Sequence, residues 1–399
     1  MVKKQFRIGM LALAILLVGT VFVPAVSAGT ISENNTSTAV TTGLVTSDEL
    51  DSIIEQIPPT DPSILEKMSE NKSVLKTYGK IPEITTGIEV YKWFNKLDSI
   101  RINLNANNEM KSYFYPSGPV EAYGTNANGY FWVIFDERYN AKNEDFDAIF
   151  DLINKQAIKL NITNVPVVFS TGTPITPVSA SISQVSTIST NPYLVYYRPI
   201  TAGIADSIVQ NTSGCLGTIG FTAKRNSDNT KGYVMAGHTA WFQTGLSSYQ
   251  PTYDSNNLAG TVSKIGLNTD AAFIPYSNVT AKMHIGGGTF VTVKGYYSGG
   301  ISGMTLTKSG SASGSVTGEY VGVLTGQTID GHYMDKIELM TTTALSGDSG
   351  APVYYISHGR YKIVGIVSSA AIINGGTEAT IYIPCGEVMS KLGVTPLTA

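Results

Sequence analysis

The residue with the strongest chemical potential in this chain is a serine set among glycines. Ser349 lies in the stretch 346–352, SGDSGAP, between Gly347 and Gly350. Glycine reaches backbone dihedrals that other residues avoid, so a tight turn here can leave the amides of Gly347 and Ser349 free to hold a developing oxyanion. We therefore expect Ser349 to be a nucleophile, with Asp348 buried beneath the turn. Taken alone, the stretch is equally compatible with an ordinary Ser/Gly/Asp surface turn.

A serine nucleophile requires a base, and the chain has four histidines. His238 follows the apolar stretch 233–236 and a glycine, a setting that holds an imidazole at a strand end beside a cleft. His284 and His358 lie in polar sequence typical of loops, and His332 follows an Asp-Gly pair. We interpret those three as structural and predict that His238 is the base.

The imidazole in turn requires a carboxylate that fixes its tautomer and stabilises the imidazolium. Asp270 precedes the apolar strand predicted over 271–274, where it would be partly buried. As a solitary residue it would be an ordinary turn aspartate. In the chain order His238, Asp270, Ser349, each residue has a local setting that suits proton transfer. We therefore predict that the three form a catalytic triad.

The elements that must position these residues are short strands. After residue 197, β-prone segments alternate with Gly, Asn and Ser, which is typical of a β-sandwich or of β-barrels. A helix is predicted over 386–392. The predicted strands are 218–223, 232–236, 258–265, 271–275, 289–297, 304–309, 320–325, 336–340, 351–356, 362–367 and 379–383.

The first half of the chain predicts a separate α+β module. A strand–helix–strand unit has a small core of its own, and this module contains no evident nucleophile, metal cluster or phosphate loop. The Ser-, Thr- and Pro-rich residues 171–190 lack apolar periodicity and predict an exposed linker that a protease could cut. The predicted elements are helices over 47–57 and 62–75, a strand over 129–136, a helix over 143–160 and a strand over 165–170, with a less certain segment over 88–103.

Residues 1–28 have the pattern of a signal peptide, with basic residues, an apolar run and small residues at 26–28. The alternative is an uncleaved N-terminal anchor. Residues 29–43 are polar, without apolar periodicity, and are predicted to be disordered. Charged residues make up only 14% of the chain and the net charge is −3, which fits a turn-rich secreted β protein and argues against a nucleic-acid partner.

The chain has two cysteines, Cys215 and Cys385. They are too few for a disulfide scaffold and too distant in sequence for a zinc ribbon. We therefore predict no metal site and no other cofactor, and we leave open whether the two cysteines form one bridge.

Five blocks of sequence occur together and in one order: 220–221 with 234–238 around the histidine, 269–273 around the aspartate, then 308–314, 347–352 around the serine, and 364–368. In this order they resemble the chymotrypsin-fold serine proteases, most closely the small secreted streptogrisin and α-lytic type. The resemblance covers residues 200–399. It implies an all-β catalytic domain of two antiparallel six-stranded β-barrels, with the active site between them and the C-terminal helix packed outside.

The resemblance also implies a role for each residue. Ser349 attacks the scissile carbonyl, and His238 takes and returns the proton while Asp270 orients it. The amides of Gly347 and Ser349 hold the oxyanion. The residues implied for substrate binding are Ser346, Ser368, Ser369 and Ala370.

Several positions depart from the family pattern. Ala351 stands where a glycine is commoner, and the usual disulfides are absent, so a bridge between Cys215 and Cys385 would be atypical. The residues that stand where the family commonly has cysteine are Thr239, Thr307, Thr317 and Leu345.

A buried carboxylate without a partner is costly, so Asp348 requires a cation. In the bacterial type a basic residue in the block 308–314 supplies it, and Lys308 occupies the matching place, so we predict a Lys308–Asp348 pair. The segments expected to line the first substrate pocket, 342–346 and 368–372, contain no Asp, Arg, Lys or His. This composition favours a small to medium apolar side chain.

These observations predict a secreted serine endopeptidase, made as a precursor and acting on proteins or peptides. The expected organisation is a signal peptide (1–28), a propeptide-like α+β region (29–170), a linker (171–195) and a protease domain (196–399). The N-terminal module resembles the propeptides of this protease type, which makes it a partner of the enzyme; the alternative is an accessory domain that stays attached. The chain is expected to be a monomer with no membrane partner after signal cleavage. The rival function is a catalytically silent protein of the same fold that binds peptides or the cell envelope.

Overall fold

The computed structural model describes residues 47–172, 176–177, 180–181, 191–210, 213–326, 328–373 and 376–399. The expected signal peptide, the polar stretch after it and most of the expected linker lie outside these residues. The described chain is mostly β-sheet with few helices, as the sequence predicted for its larger part. Within the described residues, no helix is both long enough and apolar enough to span a bilayer.

The residues before 173 form an α+β arrangement. Strands β1, β4, β3 and β2 lie side by side in that order, and only the β3–β4 pair is parallel. Leu97 of the third helix and Ile153 of the fourth lie in one buried cluster with Val133 and Phe169 of the sheet. The elements are α1 (Ser47–Glu55), α2 (Ile64–Ser69), β1 (Val74–Tyr78), α3 (Gly87–Ala106), β2 (Val120–Asn126), β3 (Phe131–Asp136), α4 (Asn143–Lys159) and β4 (Val167–Gly172).

The helix predicted over 62–75 is wrong in its last part. The side-chain oxygen of Asn71 accepts a hydrogen bond from the backbone N–H of Ser73 at 3.0 Å, which favours a turn in place of another helical turn. Residues 74–78 then pair antiparallel with β4. Tertiary pairing therefore decides the conformation of this segment.

The rest of the described chain is built from short strands and one helix. Each strand predicted from the sequence overlaps an observed strand. The strands of this part that were not predicted are β5, β6, β7, β8, β12, β16, β20, β21 and β26. The elements are β5 (Thr176–Pro177), β6 (Ala180–Ser181), β7 (Ile200–Ala202), β8 (Ala205–Gln210), β9 (Ser213–Thr218), β10 (Phe221–Arg225), β11 (Lys231–Met235), β12 (Ser247–Tyr249), β13 (Leu258–Thr261), β14 (Lys264–Ile265), β15 (Ala272–Pro275), β16 (Val279–His284), β17 (Phe290–Tyr296), β18 (Thr305–Gly310), β19 (Gly314–Thr325), β20 (Thr328–Ile329), β21 (His332–Tyr333), β22 (Ile337–Met340), β23 (Pro352–Ser357), β24 (Arg360–Ile373), β25 (Thr377–Pro384), α5 (Cys385–Leu392) and β26 (Val394–Pro396).

Three sheets of this part surround the residues predicted to do chemistry. One five-stranded sheet has the order β14-β15-β11-β10-β26, and another has the order β13-β12-β8-β9-β6. A larger sheet runs β2-β19-β18-β23-β24-β17-β16-β7, with β22 and β25 joined to it. The strand predicted over 218–223 is interrupted at 219–220, where the chain leaves β9 for β10.

Gly220 makes this crossing possible. A Cβ atom at Gly220 would lie 2.3 Å from Ile366 Cγ2 and 2.7 Å from the carbonyl oxygen of Gly350. Only glycine can approach so closely without displacing its neighbours. The crossing therefore brings β9 and β10 next to the residue that follows Ser349.

The N-terminal sheet continues into the rest of the molecule through an antiparallel pair, β2 with β19. The two backbones are in close contact there, since a Cβ atom on Gly124 would lie 2.0 Å from the carbonyl oxygen of Val323. Beside this pair, Arg101 of α3 binds Asp98 at 2.6 Å and donates a hydrogen bond to Thr325 Oγ1 at 2.6 Å. All of these groups are buried.

Candidate active site

The structure brings His238, Asp270 and Ser349 into one chain of hydrogen bonds. The distance from His238 Nδ1 to Asp270 Oδ2 is 2.7 Å, and the distance from His238 Nε2 to Ser349 Oγ is also 2.7 Å. All three residues are buried. The imidazole therefore lies between a carboxylate on one side and a hydroxyl on the other, which is the arrangement that general-base activation of a serine requires.

Two paired strands place the histidine next to the aspartate. His238 follows β11 and Asp270 precedes β15, and these strands are antiparallel with Met235 opposite Ala272. The end of one strand and the beginning of the other thus lie together. The backbone N–H of His238 also donates a hydrogen bond to Asp270 Oδ1 at 2.7 Å, so the carboxylate holds both the ring and the backbone of the histidine.

A serine donates a further hydrogen bond to the Asp270 carboxylate. Ser368 Oγ of β24 donates a hydrogen bond to Asp270 Oδ2 at 2.5 Å. A buried carboxylate is stabilised in its charged form by each hydrogen bond that it accepts. Ser368, which the sequence assigned to the substrate-binding strand, therefore also helps to hold the Asp270 side chain.

Burial and mutual attraction act in opposite directions on the two ionisable groups of the triad. Burial alone lowers the pKa of His238, but the charge of Asp270 and its hydrogen bond outweigh burial and raise that pKa above its ordinary value. Burial alone raises the pKa of Asp270, whereas the attraction of His238 and the hydrogen bonds lower it. Asp270 is therefore charged at neutral pH, and His238 is a stronger base than an isolated buried imidazole.

The turn that carries Ser349 depends on two glycines. Gly347 has φ 110° and Gly350 has φ 86°, both in the region that residues with a side chain avoid. A Cβ atom on Gly350 would also lie 2.3 Å from the carbonyl oxygen of Thr218. Among the described residues, no backbone or side-chain oxygen accepts a hydrogen bond from the amide of Gly347 or that of Ser349. Both donors are thus available to a ligand.

Two residues that the sequence analysis did not single out stabilise this turn through hydrogen bonds to its backbone. Thr218 Oγ1 and Ser311 Oγ each donate a hydrogen bond to the carbonyl oxygen of Gly347, at 2.7 and 2.9 Å. The backbone N–H of Thr218 donates another to the carbonyl oxygen of Ser349 at 2.7 Å. Neither hydroxyl residue has a distinctive sequence setting, because its role follows from contacts across more than thirty residues of chain.

Lys308 and Asp348 lie together beneath the turn. Lys308 Nζ is 2.7 Å from Asp348 Oδ2, and both side chains are fully buried. Asp348 Oδ1 also accepts hydrogen bonds from the backbone N–H groups of Ala312 and Ser313, at 3.1 and 3.0 Å. Burial lowers the pKa of Lys308 even though the charge of Asp348 opposes this shift. The carboxylate that the sequence placed under the turn therefore has a cation and backbone donors around it.

The residues assigned to substrate binding lie on the two segments that flank Ser349. Ser346 is exposed on the nucleophile turn, while Ser369 is buried and Ala370 half-buried on β24. Opposite Ala370, Thr380 of β25 exchanges a hydrogen bond of 2.7 Å with Thr342. The side chains named here carry no charge.

Among the described residues, none of the other three histidines is hydrogen-bonded to His238, Asp270 or Ser349. The sequence placed His284 in a polar loop, and this is wrong, because His284 ends β16 and is fully buried with its ring 4.3 Å from that of Tyr193 and 5.0 Å from that of Phe290. The aromatic packing explains the error, since its members are distant in sequence. His332 stacks on Phe242, and His358 lies in the turn after β23.

No disulfide joins the two cysteines of the chain. Cys215 lies in β9 and Cys385 begins α5, and both are buried. Burial raises the pKa of the Cys385 thiol. The bridge that the sequence left open is therefore absent from the structure.

No family model and no curated protein matches this sequence. Among solved structures, Nocardiopsis protease is 21% identical with a TM-score of 0.40 over 50% of this chain and 99% of that chain. Thermobifida fusca protease A is 22% identical with a TM-score of 0.40, and the match covers 50% of this chain and 99% of that chain. A glutamic acid-specific serine protease is 18% identical with a TM-score of 0.41, and the match covers 50% of this chain and 100% of that chain. Each of these solved structures is a protease. Similarity at this level says nothing about activity or substrate.

Proposed function

We propose that this protein is a serine endopeptidase. The observation that carries the proposal is the continuous hydrogen-bonded chain from Asp270 through His238 to Ser349, with 2.7 Å at each histidine nitrogen. A buried serine next to a correctly oriented imidazole is activated for attack on a carbonyl carbon.

In the proposed reaction, Ser349 Oγ attacks the carbonyl carbon of the scissile peptide bond while His238 Nε2 takes its proton. The C–N bond then breaks, and His238 returns the proton to the departing amine. Water hydrolyses the acyl-enzyme by the same proton transfers in reverse order. Asp270 stays ionised throughout and stabilises the imidazolium, in keeping with its lowered pKa.

The negative charge that develops on the carbonyl oxygen requires donors. The amides of Gly347 and Ser349 are the donors that we propose, because neither has another acceptor among the described residues. Removing one donor of this kind from a serine protease costs about 10²–10³ in kcat. Thr218 and Ser311 support the turn by fixing the carbonyl oxygen of Gly347.

The barrel architecture, the precursor form and the export predicted from the sequence are part of the same proposal. We propose a catalytic domain over 196–399 with two six-stranded antiparallel barrels, an N-terminal region that acts as a propeptide, and export directed by residues 1–28. The uncharged positions beside the nucleophile turn favour cleavage after a small to medium apolar residue. The partners are accordingly protein or peptide substrates and the N-terminal region of the chain.

Labelling with a fluorophosphonate tests the proposal. We expect one label per folded molecule, on Ser349, together with hydrolysis of peptides that contain an apolar residue before the cut. Ser349→Ala abolishes both, whereas Ser255→Ala, which removes an exposed hydroxyl from a turn, leaves both unchanged. Folded protein that is never labelled, but that binds peptides equally well with Ser349→Ala, would show a silent binding protein.

A further inference from the structure

Residues 191–197, which we call the entry segment, lie against the elements that support the nucleophile turn. The segment begins with a short 3₁₀ helix, Pro192–Leu194. Asn191 caps this helix, because its Oδ1 accepts a hydrogen bond from the backbone N–H of Tyr193 at 3.0 Å. Tyr193 and Leu194 are buried, so the entry segment is packed against the rest of the molecule.

The first contact of the entry segment is with Ser311. Asn191 Nδ2 donates a hydrogen bond to the carbonyl oxygen of Ser311 at 3.0 Å. Ser311 directly follows β18, and its hydroxyl is one of the two that donate to the carbonyl oxygen of Gly347. A single residue therefore separates Asn191 from the nucleophile turn.

A second contact joins the entry segment to β18 itself. Tyr193 Oη and Ser309 Oγ are 3.1 Å apart, and Ser309 Oγ donates a hydrogen bond to the carbonyl oxygen of His284 at 2.8 Å. Because a serine hydroxyl has one proton, the phenol of Tyr193 must donate to Ser309. The Tyr193 ring also packs edge-on against the His284 ring, 4.3 Å away. Tyr193 is thus anchored two residues before Ser311.

Leu194 reaches the other element that supports the turn. It lies in one buried cluster with Ala205 of β8 and Leu216 of β9. Leu216 is two residues before Thr218, whose hydroxyl donates to the carbonyl oxygen of Gly347. The entry segment therefore contacts both elements that carry the supporting hydroxyls.

The two supporting residues are joined to each other. The backbone N–H of Ser311 donates to Thr218 Oγ1 at 3.0 Å, and the two hydroxyl oxygens are also 3.0 Å apart. Gly347 and Ser349, whose amides are the proposed oxyanion donors, each have a carbonyl oxygen that Thr218 binds. A displacement of Ser311 would therefore disturb the supports of both donor residues.

We propose that Asn191 and Tyr193 are positioning residues for peptide hydrolysis, which act through Ser311 to orient the amides of Gly347 and Ser349. The proposal rests on the serine endopeptidase function proposed above. Donors aimed at a developing charge stabilise the transition state more than the bound substrate. The entry segment should therefore affect kcat more strongly than KM.

Asn191→Asp isolates the contact with Ser311. Aspartate keeps an oxygen that can cap the 3₁₀ helix, but the oxygen in place of Nδ2 faces the carbonyl oxygen of Ser311 and cannot donate to it. We expect kcat on an apolar peptide to fall about tenfold with KM nearly unchanged, the loss that one hydrogen bond can cause. Asn256→Asp is the matched control, since it makes the same change at an exposed position and should alter neither constant.

A peptide aldehyde gives a readout that a merely structural role would not move. Its tetrahedral adduct with Ser349 places an oxygen in the oxyanion site, so its inhibition constant in Asn191→Asp should rise by the same factor by which kcat falls. The affinity of an uncleaved peptide should not change when Asn191→Asp is added to the Ser349→Ala chain.

Tyr193→Phe tests the second contact. Phenylalanine keeps the ring against His284 but removes the donor to Ser309. The change in kcat should have the same direction as in Asn191→Asp and a smaller size, because Ser309 keeps its hydrogen bond to the carbonyl oxygen of His284.

A double variant tests whether the effect passes through Ser311. Ser311→Ala removes one donor to the carbonyl oxygen of Gly347. When Asn191→Asp is added to it, kcat should fall by less than the product of the two single effects, since both act on one network. Independent effects that multiply in full would contradict the proposed route.

Fluorophosphonate labelling separates this proposal from the proposed function. A wild-type protein that is labelled on Ser349 and hydrolyses peptides, but keeps its kcat in both Asn191→Asp and Tyr193→Phe, overturns the positioning role alone. A rise in KM without a fall in kcat has the same meaning. Folded wild-type protein that is never labelled overturns the proposed function, and the positioning role with it.

Discussion

At the scale of single residues, the site depends on charges that burial alone would neutralise. Asp270 and Asp348 are both fully buried, and each has a basic side chain 2.7 Å away. Moving a carboxylate out of water costs several kcal/mol unless a partner and hydrogen bonds replace the water. The triad and the pair beneath the turn are therefore stable only as complete units.

Asp270→Asn should change both the rate and its pH dependence. The general base must be neutral, so wild-type activity falls as pH drops through a His238 pKa that Asp270 raises above its ordinary value. With asparagine, the largest influences left on the His238 pKa are burial, which lowers it, and the charge of Asp330, which raises it. Since burial is the first of these, the acidic limb of kcat/KM should move to lower pH, and kcat should fall by about 10⁴ because the tautomer is no longer fixed.

The measurement is a pH profile of kcat/KM on an apolar peptide substrate. Asp228→Asn is a suitable control, since it removes a carboxylate from an exposed ion pair with Arg225 and should leave the profile unchanged. An Asp270→Asn enzyme with the wild-type acidic limb would contradict the role given to this carboxylate.

The sequence predicted His238, Asp270 and Ser349 as a candidate triad for a physical reason. His238 and Asp270 lie next to strands, and residue type together with a strand end is enough to suggest a site. Thr218 and Ser311 could not be found in this way, because a hydroxyl that supports a carbonyl oxygen leaves no local pattern. Their role depends on hydrogen bonds to Gly347, which is distant from both in the chain.

At the scale of elements, β18 and the nucleophile turn are joined by one buried ion pair. Lys308→Met should leave the buried Asp348 carboxylate with only backbone donors and should lower the free energy of unfolding by about 3–5 kcal/mol. The turn that holds Ser349 should also lose its geometry, so kcat falls. Urea unfolding and peptide hydrolysis measure the two effects.

A double variant checks that the loss comes from the uncompensated charge. Lys308→Met with Asp348→Asn removes both charges and should recover part of the unfolding free energy, because no buried ion is left. Wild-type stability and turnover in Lys308→Met alone would refute the importance of the pair.

The arrangement of the strands includes features that the local sequence pattern does not predict. The sequence predicted one strand over 218–223, whereas the break at Gly220 depends on the close approach of Ile366 and Gly350. In the same way, the pairing of β2 with β19 joins residues about two hundred positions apart. Such contacts are not encoded in any local window of sequence.

At the scale of the whole molecule, the N-terminal region and the part of the chain that carries the candidate site share their cores. One buried cluster contains Trp132 and Ile134 of β3 together with Leu324 and Leu339, and another joins Ile53 of α1 to residues that include Met304 and Val353. The region 97–169 also has a cluster of its own. The chain should therefore unfold as one unit.

Gly124→Val tests this coupling in the Ser349→Ala chain. A valine Cβ would meet the carbonyl oxygen of Val323 at 2.0 Å, so β2 and β19 cannot keep their pairing, and Arg101 loses its geometry with Thr325 beside them. We expect the single thermal transition to separate into two, because cooperativity between the regions requires their shared interface. Gly359→Val is the matched control: it strains a positive-φ turn with open space around it, and should lower the transition temperature without splitting the transition. One unsplit transition in Gly124→Val would show that packing between the helices and the catalytic part, and not the continuous sheet, couples the two regions.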